Sequence, residues 1–163
     1  MDLRSLNLTA PADLTHIALA YARACASVAV FVAVSCIATA PAQTPYTPDK
    51  GSAERKAILD SLRIPVERDL KQKIVFVADD FKVQGSWAFV GGRPTTPAGG
   101  KPNLKGTAWQ GSEDMFDDNF FGLLRKRSGR WQVVKYALGC TDVCYLDWWR
   151  RHKAPRTIFP HTE

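Results

Sequence analysis

A chain of 163 residues, 45% of them apolar and with no internal repeat or long heptad run, is sized for one ordinary globular domain. Its 22 Lys and Arg against 16 Asp and Glu give a net charge of +6 at pH 7. That excess is too modest and too dispersed to argue for nucleic acid, but it favours weak attraction to anionic partners.

The first 42 residues read as an address. Arg23 precedes an apolar run from Ala26 to Ala40, and Ala40-Pro41-Ala42 offers small residues at the two positions that a leader peptidase inspects. Charged flank, short apolar core and small-x-small site predict a signal peptide over residues 1–42, cut after Ala42, and a periplasmic or secreted protein. The run from Ala24 to Ala42 contains Ser and Thr and ends at Pro41-Ala42, so it is marginal as a bilayer span. No stable membrane span is expected after cleavage. The competing fates are an uncleaved anchor and lipidation of Cys36, although Ala33-Val34-Ser35-Cys36 lacks the usual Leu three places before the Cys. The stretch before Arg23 is long for a leader; Met115 is the only other Met, so a later start would use another codon. Residues 1–42 carry two bases and two acids, and their removal leaves the basic excess unchanged. Gln43 to Gly51 has two prolines and no periodicity and reads as a linker.

A single α+β domain is expected over residues 52–160. Ser52 is placed to cap a helix, with Glu54 in its first turn. Ile58, Leu59, Leu62, Val66 and Leu70 follow at spacings of three and four, which makes one apolar stripe. Pro65 removes a backbone donor and predicts a kink near Arg63-Ile64. Lys73 to Val83 alternates as a strand, with a slip at Ala78-Asp79-Asp80 that predicts a β-bulge. Gln84-Gly85-Ser86 supplies a turn, and Trp87 to Val90 returns before Gly91-Gly92. Arg93 to Gly106, with three prolines, reads as an exposed mobile loop. In the second hairpin a Ser128-Gly129 turn sets Arg127 opposite Arg130, Lys126 opposite Trp131, Leu124 opposite Val133 and Leu123 opposite Val134. The order predicts an N-terminal kinked helix on a curled four-stranded antiparallel sheet of two hairpins, closed by a short C-terminal helix.

Cys140 and Cys144 are the two cysteines of the expected mature chain. In an exported protein a structural disulfide is the leading reading, with free thiols and a redox pair as alternatives. The Cys-x-x-x-Cys spacing is wider than that of the thioredoxin type. His152 and His161 are too few and too irregularly placed to complete a zinc site, and no metal is expected. The acids Glu113, Asp114, Asp117 and Asp118 lack the alternation and central Gly of a calcium loop. Asp79 and Asp80, as strand neighbours, cooperate in catalysis only if a bulge turns them the same way. Thr141 or Asp142 is a candidate helix cap, and Asp147 is spaced for an ion pair with Arg151 or Arg150. Tyr145 with Trp148, and Leu146 with Trp149, form two pairs, one to seal the sheet and one half exposed. A sharper reading makes the aromatics the lip of a ligand pocket lined by Trp87, Asp80, Tyr136, Asp142, Tyr145 and Trp148. No Ser-His-Asp grouping, phosphate-cradling glycine loop or paired catalytic carboxylates stands out. No catalytic residue and no cofactor is therefore assigned.

The phrases Lys56-Ala57-Ile58-Leu59-Asp60, Gly85-Ser86-Trp87-Ala88-Phe89-Val90, Gly129-Arg130-Trp131-Gln132-Val133-Val134 and Thr141-Asp142-Val143 resemble a group of small exported bacterial proteins of no assigned activity. The helix-then-sheet order is similar to cystatin and NTF2-like folds, in which the cone between helix and sheet holds a ligand or is filled. The export signal together with the lack of a catalytic constellation predicts a non-enzymatic envelope module that binds another envelope protein or a small ligand; the fold likeness supplies the alternative, a small-molecule pocket enzyme of NTF2-like type. Asp80, Asp142 or Tyr136 would then handle the proton. Nucleic-acid binding by the basic second hairpin is the least favoured reading, because export removes it from its ligand.

Overall fold

The computed structural model describes residues 43–162; the expected leader and its cleavage site lie outside the described residues. Helix α1 spans Ala53–Leu70, and Ser52 caps it by accepting a 3.2 Å hydrogen bond from the Arg55 N–H. The helix continues through Pro65 as one element and stops at Lys71, which adopts a left-handed conformation with φ 54°. Its stripe of Ile58, Leu62, Val66 and Leu70 is buried, as its spacing predicts.

Strands β1 (Val75–Gln84), β2 (Trp87–Thr95), β3 (Phe120–Arg127) and β4 (Arg130–Leu138) form one antiparallel sheet in sequence order. The β1–β2 register shifts between Ala78 and Asp80, where the broken alternation placed a bulge. A second irregularity between Leu123 and Leu124 was not foreseen. Lys126–Trp131 and Leu124–Val133 pair as expected, but Leu123 faces Lys135, and Val134 becomes the extra residue. The period of two could not show this, since Val133 and Val134 are both apolar and both find an apolar face.

The sheet is covered on both sides. On one side α1 packs with Ile58, Leu62 and Val66 against Phe76, Phe120 and Leu124. On the other, the chain after β4 returns as a strap: Tyr145, Trp148, Ala154, Ile158 and Phe159 pack against Trp87, Phe89 and Leu123. The strap contains helix α2 (Trp148–His152) and a 3-10 turn, Arg156–Ile158. Phe89 and Phe121 therefore lie on the face away from Leu62 and Phe76.

Two further expectations are corrected. β2 does not fade at Gly91-Gly92 but runs on through Pro94, which pairs with Phe76. The glycines serve the bulge. A Cβ on Gly92 would sit 2.0 Å from the Val77 carbonyl, and one on Gly91 would sit 3.1 Å from the Phe121 ring. Pro94 is tolerated because β3 pairs with β2 only up to Gly92, so its missing N–H lies beyond the last β3 partner. Nor is the rest of the proline-rich loop simply exposed. Gln72 donates to the Asn103 carbonyl (2.7 Å) and accepts from the Asn103 N–H (3.1 Å), while Leu104 and Trp109 pack against the helix-side core.

The segment read as a linker is tied to the sheet edge. Tyr46 and Val83 exchange backbone hydrogen bonds of 2.9 and 2.8 Å, and the Thr47 hydroxyl donates to the Phe81 carbonyl. The Gln84 side chain donates to the Gln43 carbonyl at 2.7 Å. No helix among the described residues is long and apolar enough to cross a membrane.

Candidate functional site

Cys140 and Cys144 are joined in a disulfide with their Cα atoms 6.2 Å apart. The turn around it is held from the residue just before β3: Asn119 accepts from the Cys140 N–H (2.8 Å) and donates to the Cys140 carbonyl (2.7 Å). Asp142 does not cap a helix. Its carboxylate accepts from the adjacent Val143 N–H at 2.6 Å within the turn, and the helix begins later, at Trp148. Asp147 pairs with Arg151 across one turn, as the spacing predicts.

The six residues proposed as a pocket lining fall in four places. Trp87, Tyr145 and Trp148 are brought together beneath the strap, but as core: they are 8%, 3% and 3% exposed. Tyr145 stands between Phe89 and Phe121, with ring centroids 4.8 and 4.6 Å away. Burial, with a smaller contribution from the Asp80 carboxylate, pushes its phenol pKa up, so it stays neutral. Asp80 itself is exposed at the bulge, in a cleft of about 610 Å³ shared with Asp49, Arg55 and Lys82. Asp79 pairs with Arg93 across the hairpin, at 3.7 Å. Asp142 is exposed in the disulfide turn.

Tyr136 lies on the helix side, apart from the others. Its hydroxyl donates to Asp69 at 2.5 Å and accepts from Arg68 at 3.0 Å, and the same guanidinium reaches the other Asp69 oxygen at 3.0 Å. Burial and then the Asp69 hydrogen bond raise the phenol pKa. A phenol whose proton is held by a carboxylate is a donor at neutral pH, not a base. With Asp69, Trp109 and Lys135 it borders a cleft of about 290 Å³. Sequence reasoning missed Arg68, Asp69 and Trp109. The signal was absent because Asp69 and Tyr136 are 67 positions apart, and nothing local marks Arg68-Asp69 as more than a solvated helix end.

The cone between helix and sheet is packed. A Cβ on Gly122 would lie 2.8 Å from Leu62, so α1 rests directly on β3. The buried side chains Phe76, Phe81 and Phe120 occupy the same layer. Among the described residues, no group of three or more His, Cys, Asp or Glu is arranged to hold a metal.

The chain finds no match among family models, curated proteins or solved structures. The resemblance to small exported proteins therefore rests on the sequence phrases alone.

Proposed function

We propose that the protein is an exported module of the cell envelope that acts by binding. The observation that carries this reading is the Cys140–Cys144 disulfide in a small basic body preceded by a leader-like sequence. Such bridges persist in oxidising compartments and are rare where thiols are kept reduced. The packed layer between α1 and the sheet supports binding by the surface rather than in a cone. Fractionation of the producing cell, with the intact mass of the purified protein, tests it. The expected result is an envelope or secreted species that begins at Gln43, with both thiols oxidised. A cytosolic, full-length, reduced protein overturns it.

One observation favours the alternative of a pocket enzyme. The Arg68–Asp69–Tyr136 hydrogen-bond chain borders a cleft with an aromatic wall at Trp109. On that reading, envelope extract incubated with the pure protein would lose a component catalytically, and Tyr136→Phe would abolish the loss. An extract unchanged by the wild-type protein removes the alternative.

A further inference from the structure

Antiparallel pairing in sequence order puts both hairpin turns, Gly85-Ser86 and Ser128-Gly129, at one end of the sheet. The second turn carries Arg125-Lys126-Arg127-Ser128-Gly129-Arg130, four bases in six residues. Lys126 is bridged to Glu54 at 3.5 Å, but among the described residues Arg125, Arg127 and Arg130 have no carboxylate partner. Arg127 and Arg130 are exposed. Arg125 lies over the Trp87 ring at 4.9 Å, held against the sheet rather than free to turn away. The strap adds Arg156 to this end, because the adjacent Thr157 meets the Gln84 side chain at 2.5 Å. Glu54 lies near this end, engaged with Lys126 and Tyr46. The opposite end mixes signs: the acids Glu113, Asp114, Asp117 and Asp142 lie around the loop and disulfide turn, and the bases Lys71, Lys101 and Lys105 lie around the helix end and the same loop. The hairpin-turn end thus carries a cluster of neighbouring guanidinium groups, Arg125, Arg127 and Arg130, without carboxylate partners among the described residues.

A second observation concerns where the chain enters the body. Gln43 is held by Gln84, and its side-chain oxygen lies 3.3 Å from where a Cβ on Gly85 would be. The described chain thus begins beside the hairpin turns, and the apolar sequence Ala26–Ala40 precedes it by a few residues.

We propose that the hairpin-turn end is a docking surface for an anionic phospholipid bilayer, with Arg125, Arg127 and Arg130 facing the headgroup phosphates. This deepens the binding reading above by naming the class of partner. Guanidinium groups suit phosphate because they donate in pairs, and each basic residue near an anionic leaflet adds affinity until salt screens it. A bilayer is favoured over nucleic acid because the export reading above puts the protein in the envelope, where phospholipid headgroups supply the phosphates.

The test is co-sedimentation of the protein, purified as the cell makes it, with vesicles of phosphatidylglycerol and phosphatidylcholine against phosphatidylcholine alone. Binding to the anionic vesicles that weakens as salt rises is expected. Arg127→Gln with Arg130→Gln should weaken it about tenfold or more. The same charge change at the other end, Lys71→Gln with Lys105→Gln, should leave it within about twofold. Circular dichroism of both doubles checks folding, and neither pair makes a contact that the core depends on. Equal binding to both vesicles, equal loss in both doubles, or no binding at all overturns the proposal. Tighter binding to duplex DNA than to anionic vesicles overturns it in favour of nucleic acid. Fractionation remains separate: a protein found in the envelope that ignores anionic vesicles would sink the docking surface and leave the export reading standing.

Discussion

Single residues hold strained or polar positions whose energetic consequences can be measured. Ser128 occupies the first central position of a two-residue turn at φ 49°, followed by Gly129 at φ 76°. A turn with both central residues at positive φ matches the twist of its strands, and Asn or Gly meets that need better than Ser. Ser128→Asn should raise stability by about 1 kcal/mol in a urea titration, without altering the strands. Tyr46 makes a different case. Its hydroxyl donates to Glu54 at 2.6 Å, and this bond, ahead of partial burial, pushes its pKa from 10.0 to about 12. The folded pKa is raised, so the contribution is fully present below the unfolded value and is lost as pH climbs through the folded one. Stability should be flat up to pH 10 and fall between there and about 12, with Tyr46→Phe flattening the fall in urea midpoints taken at stepped pH. No change of slope in that variant would remove the assignment.

At the scale of elements, the contact between α1 and β3 decides the fold's compactness. Gly122 exists because Leu62 fills the space that its side chain would occupy. Gly122→Ala should cost about 1–3 kcal/mol by overpacking, and pairing it with Leu62→Ala should cost less than the two changes summed. Additive losses would show that the two sites do not touch. These elements were legible to different degrees. The stripe Ile58, Leu62, Val66, Leu70 is a local pattern, and so are the Ser52 cap and the slip at Ala78-Asp79-Asp80; the folded chain contains all three. The extent of β2 through Pro94 was not legible, because its justification is where a neighbouring strand stops. The bulge at Val134 was hidden by two apolar residues in a row, either of which could have turned inward. Residues 43–51 read as a linker because an isolated bridge to a strand edge, Tyr46 to Val83, leaves no periodic signature.

For the whole molecule, the second covered face is the feature that the sequence pattern concealed. A sheet coated on both sides loses the apolar–polar alternation that reveals a one-sided sheet, and Trp87-Ala88-Phe89-Val90 is buried at every position. The aromatic residues after Gly139 were legible as unusual, yet their density suggested either a seal at the sheet's end or a pocket lip. They instead form a strap across the full width, reaching Gln84 on β1. Phe159 lies 4.9 Å from Phe89, ring to ring, and is 8% exposed. Phe159→Ala should therefore cost about 3 kcal/mol or more, comparable to a change in the helix-side core. The Cys140–Cys144 bridge closes a loop with a sequence separation of 4 and anchors the start of the strap. Replacing both cysteines by Ser should cost about 2 kcal/mol and leave the domain folded, read by thermal melting with and without reductant.

Because Tyr145, Trp148, Ile158 and Phe159 complete the face that holds Trp87, Phe89 and Leu123, a nascent chain that stops short of Phe159 has nothing to lay over those rings. That face can close only when the segment through Phe159 has emerged from the ribosome, or from any channel through which the chain is threaded.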